Sequence, residues 1–264
     1  MPRVNSIYRN VVAPVPRYLM RLNCIEALLQ AHVHDINDFL EIGPGMGDVS
    51  AYLLKKHPKA KAQLLEFSER AAMQLQQRFR DESRASVQTH DLLQDTRAAS
   101  FDLILAFEVL EHIEHDLLAL ERIHRSLRPG GFFLLSVPAF MNKWEAGDDW
   151  AGHFRRYEKD ELRTKLHGCG FEICALWSYG FPITAMLYPL RQVYYRRQLK
   201  HAQPQDKTEA SKQSGITRPL HAPAWSPWLA HAMQPLFLLQ HLARNSSLGD
   251  GWIVMAQKPH IACP

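Results

Sequence analysis

Along most of the chain, short apolar runs alternate with stretches whose apolar residues recur every three or four positions. The runs 39–42, 62–66, 86–89, 101–106 and 132–137 have the length of buried strands, and 48–56, 69–80 and 115–127 have the period of helices. A further helix is expected at 159–167, a strand at 171–177 and a last strand within 248–264. Ahead of the first run, Tyr18, Leu19, Leu22, Ile25, Leu28 and Leu29 fall on one helical face, which predicts an amphipathic helix laid across the core. Alternation of this kind predicts an α/β protein with a doubly wound, mostly parallel sheet. Right-handed crossovers place the strands' carboxyl ends on one edge, where ligands bind.

The long stretch 181–247 breaks the rhythm. From Phe181 to Lys200, Ile183, Met186, Leu187, Leu190, Val193 and Tyr194 are joined toward the end by Arg191, Arg196, Arg197 and Lys200, a basic amphipathic pattern bent by Pro189 if helical. His201 to Arg218 is polar, with the composition of a connection that buries little. From Pro219 to Ala243 there is no Asp, Glu, Lys or Arg, yet Trp225, Trp228, Leu236, Phe237, Leu238 and Leu239 occur. Pro219, Pro223, Pro227, Pro235 and two glutamines interrupt this run, which argues against a membrane-spanning helix. A lid over an apolar substrate site and a surface that docks on lipid both fit. The expected layout is therefore an N-terminal helical cap (1–36), a core (37–180), a helical, apolar insertion (181–247) and a final strand (248–264).

With 264 residues, 46% of them hydrophobic, the chain can bury one large core. The formal net charge of +4 arises from basic and acidic residues spread throughout, so no nucleic-acid-binding module is expected. Cys24, Cys169, Cys174 and Cys263 lack C-x-x-C spacing, and the first residues lack the apolar core of a secretion signal. Reduced thiols in the cytoplasm are the expectation, with a peripheral position at the inner face of the membrane as the variant that a docking surface implies. The sequence sets no oligomeric state.

The most specific chemistry lies in Phe39-Leu40-Glu41-Ile42-Gly43-Pro44-Gly45-Met46-Gly47, where a strand enters a three-glycine turn ahead of a helix beginning near Asp48. Glycines at alternate positions let main-chain N–H groups approach a ligand, and the helix that follows directs its positive end at an anionic group. A dinucleotide fingerprint needs a small residue where Asp48 stands, so the spacing is G-x-G-x-G. Glu66 ends the second apolar run, where a carboxylate can accept both hydroxyls of a ribose. Here the chain resembles the class I S-adenosylmethionine-dependent methyltransferases. Phe101-Asp102-Leu103-Ile104-Leu105-Ala106-Phe107 with Glu108-Val109-Leu110-Glu111-His112 resembles the family's fourth strand and its continuation, in the branch that includes quinone-biosynthesis O-methyltransferases. Arg128-Pro129-Gly130-Gly131 with Phe132 to Pro138 resembles its turn and fifth strand, and Gly249 to Ala256 its last strand.

The resemblance implies a seven-stranded Rossmann-like sheet with S-adenosyl-L-methionine as cofactor. It places Glu41 near the methionine ammonium, Gly43, Gly45 and Gly47 around the methionine and ribose, and Glu66 on the ribose hydroxyls. Asp91 and Leu92 fall by the adenine, and Phe107 and Glu108 at the strand edge beside the sulfonium. In the family the N-terminal segment also roofs the acceptor site, which brings Arg17, Tyr18 and Arg21 within reach of substrate. Methyl transfer is an in-line displacement that depends on positioning and exclusion of water. A phenol or enol acceptor gains from a base, for which His153 and His112 stand at strand ends. Arg155, Arg156 and Tyr157 either brace that loop or meet an acidic substrate. No metal is expected, because neither His32 with His34 nor His112 with His115 has a third ligand at defined spacing. The expected activity is O-methylation of a small, apolar acceptor in a biosynthetic pathway. Methylation at carbon or nitrogen is the alternative, as is a non-catalytic cofactor- or partner-binding protein of the same fold.

Overall fold

The computed structural model describes residues 6–89, 92–94, 98–201, 207 and 226–260. One seven-stranded sheet runs in the order β3-β2-β1-β4-β5-β7-β6. Its strands are β1 (Asp38–Ile42), β2 (Lys61–Glu66), β3 (Ala85–Thr89), β4 (Phe101–Phe107), β5 (Leu127–Pro138), β6 (Glu172–Tyr179) and β7 (Gly251–Gln257). Only β7 pairs antiparallel, with β5 on one side and β6 on the other. The chain winds outward through β2 and β3, then returns to place β4 beside β1. That reversal opens a crevice at the carboxyl ends of β1 and β4, where ligands of such sheets bind.

Side chains alternate between two buried layers because successive strand residues point to opposite faces. Phe39, Leu103, Leu105, Leu134, Ile253 and Met255 face the helices α1 (Pro16–His32) and α2 (Asp48–Lys56). Leu40, Ile42, Ile104, Phe133, Leu135 and Val254 face α4 (Asp116–Ser126) and α6 (Lys159–Gly168). The helix α3 (Glu69–Arg78) ends two residues short of the expected range, and a short helix, α5 (Ala146–Ala151), was not foreseen. Arg128 to Gly131, expected as a turn, lie within β5 as an irregularity: Phe101 faces Leu127 and Leu103 faces Phe132, so the register against β4 shifts across them.

The insertion opens with α7 (Ile183–His201), which is helical through Pro189. Its inward face is largely polar. Thr184 and Gln192 are buried, with Arg191 and Tyr195 partly so, while Met186, Leu190, Val193 and Tyr194 are exposed. The cause is electrostatic: Arg191 pairs with Glu145 and Asp250, and Gln192 donates to Glu145 at 2.8 Å, so the polar stripe turns inward. Two later helices, Ser226–Ala232 and Gln234–Ala243, join the core. Phe237 is buried and stacks on Tyr8 with ring centroids 5.7 Å apart. Gln240 accepts from the Gly180 N–H at 2.8 Å and donates to the Met20 carbonyl at 2.9 Å, tying this segment to the carboxyl end of β6 and to α1. The polar stretch expected between the two apolar parts lies almost wholly outside the described residues.

Candidate functional site

Gly43, Gly45 and Gly47 all adopt left-handed conformations, with φ of 61°, 56° and 70°. A Cβ on Gly43 would stand 2.8 Å from a Val109 methyl, and one on Gly47 2.6 Å from the Phe79 ring, so both space and backbone demand glycine. Gly47 caps α2 without a side chain, and of the first-turn N–H groups that of Ser50 is taken by Glu41. Asp48, the residue that departs from the dinucleotide pattern, is buried and structural. It accepts from the Tyr18 hydroxyl at 3.1 Å, the Val12 N–H at 3.3 Å and Arg78 at 2.7 Å, fastening the N-terminal cap to the glycine loop.

Glu41, one residue before the end of β1, is almost fully buried and accepts the backbone N–H of Ser50 at 3.1 Å as well as its hydroxyl. Burial is the main reason that its carboxyl is pushed up to about 7, a shift that the bonds from Ser50 only partly offset. Glu66 accepts the Ser68 N–H at 3.1 Å and bonds to the N–H groups of Phe67 and Gly45, so it reaches the middle of the glycine loop. Burial also raises its carboxyl. Leu92 is buried in a short turn, and Asp91 lies outside the described residues.

Phe107 ends β4 buried, and Glu108 follows with a φ of 56°, a costly conformation for a residue with a side chain. Its carboxylate meets Arg17 at 3.0 Å and Arg21 at 3.4 Å, and accepts from the hydroxyls of Tyr179 at 2.7 Å and Ser136 at 3.0 Å. Burial alone would raise this carboxyl, but the two guanidiniums and the hydrogen bonds outweigh it and hold Glu108 well below the usual carboxylate range. Arg17 also pairs with Asp250 at 3.1 Å. Thus Arg17, Tyr18 and Arg21 are engaged with the protein itself, closing the cap onto the carboxyl edge.

One turn further on, Glu111 is fully buried, and among the described residues neither carboxylate oxygen has a hydrogen-bond partner. Burial, with the nearby Glu108 charge, pushes its carboxyl well up. The His112 ring lies edge-on to that of His153 with centroids 4.6 Å apart, and its Nδ1 is buried without a partner among the described residues. Burial, and secondarily His153, lowers His112 to about 3. His153 is oriented by Asp148, 2.8 Å from its Nδ1, and its Nε2 lies 4.0 Å from Glu111 Oε1. Asp148 is in turn gripped by Arg156, whose Nε and Nη2 donate at 2.9 and 2.7 Å. Arg155 pairs with Asp116 at 2.9 Å, and the Tyr157 hydroxyl donates to Asp116 at 2.9 Å. All three residues of the Arg155-Arg156-Tyr157 loop therefore brace it.

The fold brings together every sequence-derived candidate that it describes, on one edge of the sheet. Sequence reasoning passed over Asp148, Glu111 as a partner of the two histidines, and the Asp48 hub. Only the spacing of Asp148 five residues before His153 could have signalled the first. Residues 40–133 match a family model described as a methyltransferase domain. A comparison with curated protein sequences finds no match. Among solved structures, a putative methyltransferase from Bacillus halodurans C-125 is similar at 15% identity over 89% of this chain and 98% of that one, with a TM-score of 0.57. The N-methyltransferase NodS from Bradyrhizobium japonicum WM9, solved with S-adenosyl-L-homocysteine, is 17% identical over 91% and 87%, with a TM-score of 0.51. The [4+2]-cyclase SpnF is 19% identical over 90% and 81%, with a TM-score of 0.56. The matched stretch runs from β1 through the glycine turn into β5, so this part of the chain is similar to methyltransferase domains, and the sheet around it has the fold of the solved methyltransferases.

Proposed function

We propose that the enzyme methylates an oxygen of a small, largely apolar acceptor of quinone, phenol or polyketide-like type in a biosynthetic pathway. The observation that carries this reading is the grouping of His112, His153 and buried Glu111 in one wall, next to Val109, which touches Gly43. Polar groups fixed beside the cofactor loop suit an acceptor oxygen that must be held and activated, and His153 and His112 are the residues assigned to that task. Incubating the protein with methyl-labelled cofactor and cell extract, with mass-spectrometric identification of the product, tests it. An O-methyl product supports the reading, and an N- or C-methyl product replaces it. Absence of any methylated product, with cofactor binding intact, favours a non-catalytic role or another reaction, and the similarity to a cyclase shows why fold alone does not fix the chemistry.

Cofactor affinity should depend on pH through Glu41. Its folded carboxyl is raised above the ordinary 4.5, so its contribution to stability is present below that value and lost as pH rises to about 7. The cofactor's ammonium requires the ionised form. Binding should therefore release a proton below pH 7 and weaken about tenfold for each further unit of acidity. Calorimetry in buffers of different ionisation enthalpy reads that proton, and pH-independent binding with no release would remove Glu41 from the ammonium site.

The outward face of α7 is assigned to an anionic lipid surface at the inner face of the membrane. Met186, Leu190, Val193 and Tyr194 stand exposed on successive turns beside exposed Arg196 and Arg197, and Leu238, Leu239 and Leu242 are also exposed. Among the described residues no helix is long and apolar enough to cross a membrane, so such contact would be peripheral. Co-sedimentation with anionic liposomes should be salt-sensitive and fall several-fold on changing Arg196 and Arg197 to Glu. Equal partition with and without anionic lipid would leave the insertion as a lid alone.

A further inference from the structure

We infer that Glu111, His112 and His153 form a binding site for one divalent transition ion of the zinc type. The sequence holds no such motif, because Glu111 and His112 follow β4 whereas His153 follows α5, far along the chain. The fold closes the gap: the Phe154 N–H donates to the Glu111 carbonyl at 2.8 Å, which carries the His153 loop onto the turn after β4. One ligand atom from each of the three residues then lies within 4.8 Å of the other two.

Three observations mark this as more than a chance cluster. Both carboxylate oxygens of Glu111 and Nδ1 of His112 are buried without a hydrogen-bond partner among the described residues, although the groups around them are tightly paired. Buried polar atoms left unsatisfied keep their desolvation cost, so three in one place call for a common partner. A cation is one that all of them can serve as donors of electron pairs. The ring of His153 is also held as a ligand's ring would be, with Nδ1 on Asp148 and Nε2 turned toward Glu111. Asp148 is itself fixed by Arg156, which completes the carboxylate–histidine support that typically orients metal ligands. Finally, Glu108 is engaged elsewhere, by Arg17, Arg21, Tyr179 and Ser136, so the acidic group that remains available is Glu111.

The donor set determines the class of ion. Two imidazoles and one carboxylate suit zinc and neighbouring first-row divalent ions, whereas magnesium favours oxygen ligands and retained water. Three protein ligands also leave a coordination position open, as at catalytic zinc centres. Bonds of about 2.1 Å at tetrahedral angles place ligand atoms about 3.4 Å apart, so side-chain rotation must draw the three together by about 1 Å. The role of the open position toward an acceptor oxygen rests on the proposed O-methylation; the binding of the ion does not.

The test uses the full chain, stripped with a chelator and titrated with zinc in the absence of cofactor and acceptor. One equivalent should bind with a Kd in the micromolar range or below, and magnesium at millimolar concentration should not compete. Glu111→Gln and His153→Asn should each weaken binding at least a hundredfold, and Asp148→Asn by about 10–100-fold. Cofactor titration of each variant checks that the fold is retained. Should a variant fail to fold, cobalt added to the wild-type chain gives a second readout. Its visible spectrum should show nitrogen and oxygen ligation without thiolate charge transfer, the latter pointing instead to Cys169 or Cys174. Absence of a saturable zinc site, a thiolate spectrum, or unchanged affinity in the folded variants overturns the assignment. A zinc site with no methylated oxygen product would overturn the acceptor reading and leave the site standing.

Discussion

Replacing Glu66 with alanine is expected to raise the Kd for S-adenosylmethionine by about a hundredfold or more. Hydrogen bonds to a charged group are worth about 1.5–3 kcal/mol each, and two ribose hydroxyls on one carboxylate give about 3 kcal/mol at the low end. At about 1.4 kcal/mol per decade, that corresponds to roughly two decades in affinity. The same carboxylate also bonds to the N–H groups of Ser68, Phe67 and Gly45, so its removal loosens the glycine loop as well as the ribose contact. Glu66→Gln separates the two effects, because the amide retains one acceptor for the loop and loses the charge that strengthens the bonds to ribose. Calorimetric titration measures the binding, and melting of the cofactor-free proteins measures the loop. A Kd within threefold of wild type in Glu66→Ala would mean that the ribose is held elsewhere.

The glycine turn assigned to the cofactor was legible in the sequence because its geometry is carried by consecutive residues. A strand, a turn requiring three positive φ angles and the start of a helix lie within the span from Phe39 to Asp48, and local sterics fix their geometry. The position of Glu66 beside that turn was legible for the same reason, as the end of the neighbouring strand. The acceptor half is assembled from residues far apart in sequence. His112 and His153 meet only because their loops are stacked over the sheet, and nothing in either local sequence announces Glu111 between them. The apolar stripe of α7 illustrates a different limit. Hydrophobic periodicity identifies the helix but not its facing, which the bare rule that apolar faces turn inward would set toward the core. Arg191 and Gln192 reversed it, because Glu145 and Asp250 on the carboxyl edge offer two buried or half-buried carboxylates that need partners. Charge pairing across the edge decided the orientation, and a pattern of apolar positions does not contain that information.

Glu108→Ala should produce the largest loss of stability of any single change at this edge. Glu108 is the shared counter-charge of Arg17 and Arg21, and its removal leaves Arg21, which is buried, facing no other carboxylate among the described ion pairs. Breaking a buried pair from one side costs about 3–5 kcal/mol, because the remaining charge keeps its desolvation penalty without its partner. For a chain of this size each kcal/mol lowers Tm by about 2–4 °C, so a fall of about 10 °C is expected. The loss should depend on pH in a definite sense. Glu108 is held below the usual carboxylate range, so its stabilising contribution is complete above the ordinary value of 4.5 and disappears as pH falls through its depressed value. The gap in Tm between wild type and variant should thus be full at pH 7, begin to narrow below about 4.5 and close only in strong acid. Backbone conformation adds a second discriminant. At a φ of 56° alanine is strained whereas glycine is not, so Glu108→Gly should be more stable than Glu108→Ala by about 1 kcal/mol, the reverse of the usual order. An alanine variant that melts within 2 °C of wild type, or a glycine variant less stable than alanine, would show that this turn is not held by the Arg17–Glu108–Arg21 cluster. Because the same turn carries Glu111 and His112 toward the cofactor loop, a weakened Glu108 cluster should also slow methyl transfer while the protein remains folded.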